Sequence, residues 1–434
     1  MIKSFKIIRN EKGFALIATY MAITILLAFS GFIVEISNSQ NKTTNTFKRQ
    51  AQATGIAEAG LDRALIWIRS QATPPGSSSN PWGGPQNLGN PAIGSYSVTI
   101  TDLGSPNGSP SVKRYRITSI GAVGGITQTL TNYLQTDNYA RYIWFTNSES
   151  YGGTNVWFWD QDHLNGPTHT NGHFNIKGNP IFDGDVRSVD NYIRYYNNGN
   201  NINSSNLSNS PHDLPDFKST VTLGTNQTNM PTQALSLRSA STGAGGLRLT
   251  GNSTIVLNSN GTMNVTNAGK GWNNYNTALP ANGALFVDNG SLTISGTLKG
   301  RLTAGSSSDI IVPNNIIYSN NPRINPASTD TLGLISERDV VINQNSPYNL
   351  EIDASIMALN TSFMLSNWWL GPAKGALTVF GGIIQSQRGP VGTFSGTTRV
   401  SGYSKNYDYD TRLLNSPPPF VPTTGDYITL SWEN

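Results

Sequence analysis

The sequence predicts an α+β chain: a long N-terminal helix with a small antiparallel sheet, followed by a large all-β domain built as a parallel β-helix. Three observations carry that prediction. Residues 14–34 form a run of 21 without a charged side chain, and helix-compatible sequence continues from it to Pro74-Pro75. Beyond residue 90, short runs alternate apolar and polar residues between Gly, Pro, Asn and Ser, the pattern of half-buried strands separated by turns. Two such runs, residues 302–312 and 334–342, resemble each other, as neighbouring coils of a stacked architecture do.

The uncharged run matches the roughly 20 residues an α-helix needs to cross a bilayer core about 30 Å thick. Inside hydrocarbon a lone segment satisfies its backbone groups only as a helix, so a membrane helix is expected over residues 14–34. Lys3, Lys6, Arg9 and Lys12 precede it against the single Glu11, which keeps the N-terminus cytoplasmic and places the rest outside. A cleaved secretory signal is the alternative. Its apolar core is usually about 7–15 residues and ends at a small-residue cleavage site, whereas here Glu35-Ile36-Ser37-Asn38 follows a longer run. Further along, Ala53, Ala57, Gly60, Leu61, Ala64, Leu65 and Ile68 recur at spacings of three and four, one apolar stripe of an amphipathic helix. Residues 14–68 as one helix would span about 80 Å.

Composition narrows the rest. Charged residues make up 12% of the 434, about half the usual share of ~25%, while Gly is abundant and Trp and Tyr number 9 and 17. That is a profile for turn-rich β-structure and not for disorder, which needs high charge and few aromatics. The formal charge of +4 falls to about +1 once residues 1–13, with four cations and one anion, are set aside. No basic tract for nucleic acid remains, so no nucleic-acid partner is expected. There is no cysteine, so an exported chain must rely on its own packing.

Taken in order, residues 71–93 read as a Pro/Gly/Ser-rich loop around Trp82. Residues 96–100, 113–119 and 125–134 alternate as strands, and with the helix continuation they define a first unit at residues 35–136. Residues 137–434 form the β-rich unit. There, 141–146 and 156–159 read as strands, and Phe174, Ile176, Gly178, Pro180, Phe182, Gly184 and Val186 alternate on one face. The related runs each end in Asp plus three β-branched residues, Asp309-Ile310-Ile311-Val312 and Asp339-Val340-Val341-Ile342. Residues 197–232, rich in Asn and Ser, are expected to leave the stack. The tail from Tyr407 past Pro417-Pro418-Pro419 is expected to lie along it as a strap, with Asp410 and Arg412 as a structural pair. An ordinary β-sandwich, also made of short strands every 8–12 residues or so, is the alternative to the β-helix.

Candidate chemistry is sparse. His163, His169 and His173 with Asp160 and Asp162 form the one metal-like group. His169 and His173 on a strand would stand roughly 13 Å apart, and the residues after Asp160 miss the glycine and glutamate positions of a calcium loop. No metal and no cofactor are expected. Asp183/Asp185 and Glu351/Asp353 are paired acids, as glycoside cleavage needs, but no catalytic motif surrounds them, and the chain is not expected to be an enzyme. Trp157, Trp159, Trp368 and Trp369 are the candidate functional surface, since tryptophan often anchors interfaces.

The N-terminal residues carry a resemblance. Lys12-Gly13-Phe14 after a short basic leader and before an apolar helix resembles the type IV pilins and pseudopilins. The resemblance implies a leader at residues 1–13, cleavage by prepilin peptidase between Gly13 and Phe14, and N-methylation of Phe14. It also implies passage from the inner membrane to an extracellular filament in which such helices pack on other pilins. One position departs from the pattern. Major pilins carry Glu as the fifth mature residue to pair with a neighbouring subunit's amine, and Ala18 stands there. A carboxylate in hydrocarbon costs about 2.5–3.5 kcal/mol unless it finds a partner; the resemblance implies that a subunit without the Glu cannot make that pairing and suits a tip position or a priming complex. Ile56-Ala57-Glu58-Ala59-Gly60-Leu61 resembles the corresponding element of PilX-type minor pilins. The expected function is therefore a minor pilin-like subunit at or near a pilus tip, supporting assembly and adhesion to a surface or carbohydrate receptor. A pseudopilin of a type II-like secretion system and a membrane-tethered carbohydrate-active enzyme are the alternatives.

Overall fold

The computed structural model describes residues 11–71, 73–106, 109–196, 201–203, 213–395 and 398–433. Most of the expected leader lies outside them. The fold is α+β, and the chain divides into two compact units: Met1–Asp102, Arg116–Tyr133 and Thr429–Asn434 in the first, Leu103–Tyr115 and Leu134–Ile428 in the second. These units do not follow a single cut after residue 136.

In the first unit one helix, α1, runs unbroken from Glu11 to Arg69. Its first half is apolar on every side and exposed: Phe14, Leu16, Leu26 and Phe32 are each more than half accessible. A stretch of it is long and apolar enough to cross a membrane. Thr19 and Thr24 return their hydroxyls to the carbonyls of Ala15 and Tyr20, which removes the polar cost of those side chains. The second half is amphipathic as expected. Ala53, Ile56, Ala57, Leu61, Ala64 and Ile68 are buried, while Leu65 is only half-buried. The helix stops six positions before Pro75, with Arg69 in its last turn, where a cation complements the helix dipole.

That stripe packs on a sheet containing Gly94–Gly104, Arg114–Val123 and Ile126–Asn138. Gly124 and Gly125, both at positive φ, form the two-residue turn between the latter two strands, a geometry that suits glycine. Two short antiparallel strands, Ser78–Ser79 and Gln86–Leu88, flank the first of these, inside the segment expected to be loop. The sheet has six strands, and its remaining member is the chain's own end, Thr423–Glu433 beside Ile126–Asn138. The sequence reading assigned that end to the second unit. Its alternation could pair with any open edge, and only the fold selects this one.

The second unit is β-rich, and its strands pair mainly in parallel. One ladder runs through Leu247, Leu285, Ala304, Leu334, Ile356 and Ile383 in direct register. It continues through Trp144, Thr168, Val186 and Val221. A second passes through Ser253, Leu292, Ile310, Val340 and Phe363. A third includes Ile316, Ile352, Val379, Tyr407, Leu164, Phe182 and Phe217. The related motifs meet as neighbours, with Ile310, Ile311 and Val312 opposite Val340, Val341 and Ile342. A β-sandwich, built from antiparallel strands, does not fit these registers. Inward members such as Ile294, Ile310, Val340 and Ile352 are fully buried in one continuous core, each stabilising by roughly 1.5–3 kcal/mol.

Three expectations change. The alternation of residues 174–186 is not one strand. It is divided among Asn175–Lys177, Ile181–Phe182 and Val186–Ser188, which join different parallel pairings. The excursion at 197–232 lies partly outside the described residues, and Asp216–Phe217 and Val221–Leu223 within it are back in the parallel ladders. Tyr407 is likewise a ladder member and not part of a strap. The strap begins only after it: Arg412 pairs with Asp410 at 2.6 Å as expected, and the Pro417 and Pro419 carbonyls accept bonds from Arg301 and Thr303.

Candidate functional site

The ladders do not follow chain order. The strand Trp144–Ser148 pairs with Thr168–Thr170 on one side and with Ala373–Gln387 on the other. Leu164 in turn pairs with Tyr407. Strands made early in the chain therefore pair with strands made last, and a cleft of about 380 Å³ opens beside this seam. Trp144, Tyr151, Trp157 and Trp159 line it from the early segment. Trp368, Phe394, Tyr403 and Tyr407 line it from the late one.

The rings support one another at ordinary aromatic distances. Trp159 lies 4.3 Å from Phe394, Trp144 stacks on Tyr407 at 6.0 Å, and Tyr151 meets Trp368 edge-on at 6.4 Å. Lys177, Arg388 and Lys405 add three cations to the lining, and among the described residues no Asp or Glu joins them.

Beneath the rings sits a buried ionic group. The Arg388 side chain is 1% exposed and lies 3.7 Å from the Phe158 ring centre and 4.9 Å from that of Trp144. Its guanidinium donates to Glu149 Oε2 at 3.0 Å and to the Trp157 carbonyl at 3.1 Å. Glu149 Oε1 also accepts from Trp144 Nε1 at 3.0 Å and from the Thr146 hydroxyl. Asp162 accepts from the Trp159 backbone N–H at 3.1 Å and from Lys405 Nζ at 2.8 Å, with Arg388 Nη2 at 3.5 Å. Burial draws the Lys405 ammonium below its usual range, and Asp162 opposes this. Burial also pushes the Tyr407 phenol up, with Asp162 adding to the effect, so it remains protonated. Two cations and two carboxylates balance, which is the condition for burying charge at all. The arrangement positions rings and donors.

Of the residues singled out from sequence, Trp157, Trp159 and Trp368 come together in this cleft. Trp369 stands beside it, 57% exposed, with its ring edge-on to Trp368 at 5.4 Å. Gly13, Phe14 and Ala18 lie far along the chain on the apolar half of α1. The metal-like group disperses. His169 stacks on Phe145 at 4.9 Å and bonds to Asn171, and burial lowers its pKa. His173 contacts Asp190 and Tyr192, each at 2.9 Å. Asp160 accepts from the Asn179 N–H, and Asp162 belongs to the ionic group. Among the described residues no three metal-ligating side chains converge.

The paired acids are also occupied. Asp183 is held by His163 at 2.7 Å and Lys218 at 3.0 Å, and these partners hold its carboxyl below the usual range, Lys218 most of all. Arg323 spans Glu351 at 2.8 Å and Asp353 at 2.9 Å. Burial nevertheless pushes the Asp353 carboxyl up to about 6. The folded chain thus keeps a proton there that the unfolded chain releases near 3.8. The stability this proton contributes is complete below about pH 4 and is lost as pH rises through about 6. Denaturation series should show wild type losing stability relative to Asp353→Asn across that interval; a pH-independent difference would refute the assignment.

Arg388, Glu149, Lys405 and Tyr403 carry no sign in the sequence, and Tyr407 is singled out there only as the start of the tail. The nearby tryptophans were a signal for the region, but nothing local joins residues 144–159 to 388–407.

A family model described as a domain of unknown function (DUF4900) matches residues 111–190, the segment that supplies Trp144, Tyr151, Trp157, Trp159 and Lys177. No curated protein matches the chain. Among solved structures, the competence-associated pilin ComZ from Thermus thermophilus is similar at 13% identity and a TM-score of 0.36, covering 88% of this chain and 96% of its own.

Proposed function

We propose that this chain is a minor type IV pilin-like subunit that anchors in the inner membrane through α1 and carries its β-rich unit outside the cell, at or near a filament tip. The observation that carries the reading is the split character of one continuous helix, Glu11–Arg69. A helix half that is apolar on every side needs a nonpolar surrounding, whether lipid or other helices of its kind. The other half already has its partner in the sheet. A single rod that is free at one end and docked at the other fits a subunit drawn from a bilayer into a fibre. Ala18, in place of the carboxylate that would engage a preceding subunit, supports the end of the fibre over its shaft. The three parallel ladders support a parallel β-helix for the displayed unit, with prepilin peptidase and other pilins as partners of the helix.

The test is the N-terminus. Mass spectrometry of the cellular protein should find a chain beginning at N-methylated Phe14. Gly13→Asp should leave Met1 in place and remove the protein from sheared filaments while membrane levels persist. An intact Met1 in wild type, or a start near Ser37, defeats the proposal.

A further inference from the structure

We propose that the aromatic cleft binds an acidic saccharide: one or two pyranose rings bearing a carboxylate. The cleft volume of about 380 Å³ falls at the lower end of small-ligand sites, roughly 300–1,000 Å³, and admits a short sugar segment. Its walls present Trp and Tyr faces, which are flat, apolar and electron-rich. Pyranose rings offer complementary surfaces, with C–H groups on their faces and hydroxyls at their rims.

The polar part of the lining specifies an acceptor. Lys177 lines the cleft, its Nζ rests 4.3 Å from the Tyr196 ring centre, and no carboxylate among the described residues pairs with it. The Trp368 indole N–H is shielded from solvent and meets no acceptor among the described residues. Lys177 is a donor whose partner a ligand would supply, while the indole N–H marks the ring as a wall whose own polar edge is left unpaired, which is costly. The ionic group adds direction. Arg388 and Lys405 face the cleft while Glu149 and Asp162 do not line it, so a group of zero net charge turns its positive side toward the ligand. A carboxylate-bearing sugar answers all three features.

A single-stranded nucleic acid also stacks bases on aromatic rings, but it requires a positive groove following several phosphates. Here one cation without a carboxylate partner among the described residues serves a cleft of about 380 Å³, in a chain whose formal charge is only +4 with its basic N-terminus included. This inference does not depend on how α1 is used, and its failure would leave the pilin reading untouched.

The full chain in detergent is titrated with digalacturonate and sialyllactose as acidic probes, cellobiose as a neutral one, and a ten-residue oligothymidylate, with tryptophan emission as readout. Saturable binding of at least one acidic saccharide is expected, about tenfold or more tighter than cellobiose. Trp157→Ala should weaken it by about tenfold, the equivalent of 1.4 kcal/mol. Lys177→Gln, a change at a half-buried site that leaves the core intact, should bring acidic and neutral sugars to equal affinity. The proposal is overturned by no saturable response to either acidic probe, by equal wild-type affinity for cellobiose, by binding that both variants retain, or by saturation with the oligothymidylate in place of the sugars.

Discussion

Arg388→Ala is expected to cost about 3–5 kcal/mol of stability, the range for removing one partner from a buried ion pair. The side chain is enclosed, and so is its partner: Arg388 and Glu149 are each 1% exposed at 3.0 Å. Removing the guanidinium leaves the Glu149 carboxyl group among Trp144, Thr146 and apolar rings, with two hydrogen bonds but without its direct charge partner. Asp162 keeps Lys405, so the loss centres on Glu149. The missing group also vacates the space against Phe158 and Trp144, adding a cavity term. Urea denaturation of the variant measures the total. A double-mutant cycle with Glu149→Gln isolates the pair, because the second change should cost far less once the arginine is gone. A loss below about 1 kcal/mol would mean that the ionic group does not hold the seam. Any weakening of the seam separates the two halves of the cleft, so sugar binding should fall together with stability in Arg388→Ala, unlike in Lys177→Gln.

Gly121→Val should be nearly as damaging in the first unit. A Cβ at Gly121 would overlap the Ala53 carbonyl oxygen and crowd the Ala57 nitrogen at 2.6 Å. Both are backbone atoms of α1, so neither can rotate aside as a side chain would. Helix and sheet must separate, which exposes Ile56 and Leu61. The expected cost is roughly 3 kcal/mol, at the upper end for overpacking. Gly60 is the matching position on the helix, where a Cβ would meet Ser119 and the Tyr96 ring. Gly55→Ala is the control. Nothing lies within 4 Å of its added methyl, and alanine improves helix propensity by about 1 kcal/mol. If thermal melts show Gly121→Val tolerated as well as Gly55→Ala, the close helix–sheet approach is wrong.

These two sites differ in how readable they were. Gly60 lies within the three-and-four stripe that the sequence displays, so a close helix approach was legible there, although the contact of Gly121 with Ala53 and Ala57 was not. Arg388 sits in Ser386-Gln387-Arg388-Gly389-Pro390, which reads as an ordinary exposed turn. An arginine flanked by Gly and Pro gives no local sign of burial, because what encloses it comes from residues 144–162.

What the chain's letters determined by themselves is whatever repeats over short distances. The uncharged run, the apolar stripe, the alternating strands and the paired Asp309 and Asp339 motifs all express periods set by backbone geometry, and those periods need no distant partner. The tertiary structure decided which edges meet. Trp144 against Ile383, Leu164 against Tyr407, and the strand Thr423–Glu433 beside Ile126–Asn138 join segments that are hundreds of residues apart. Any alternating strand offers the same hydrogen bonds to any open edge, so the choice rests on side-chain fit and charge balance summed across the seam. The tryptophans were visible one by one; that seam makes them a cleft.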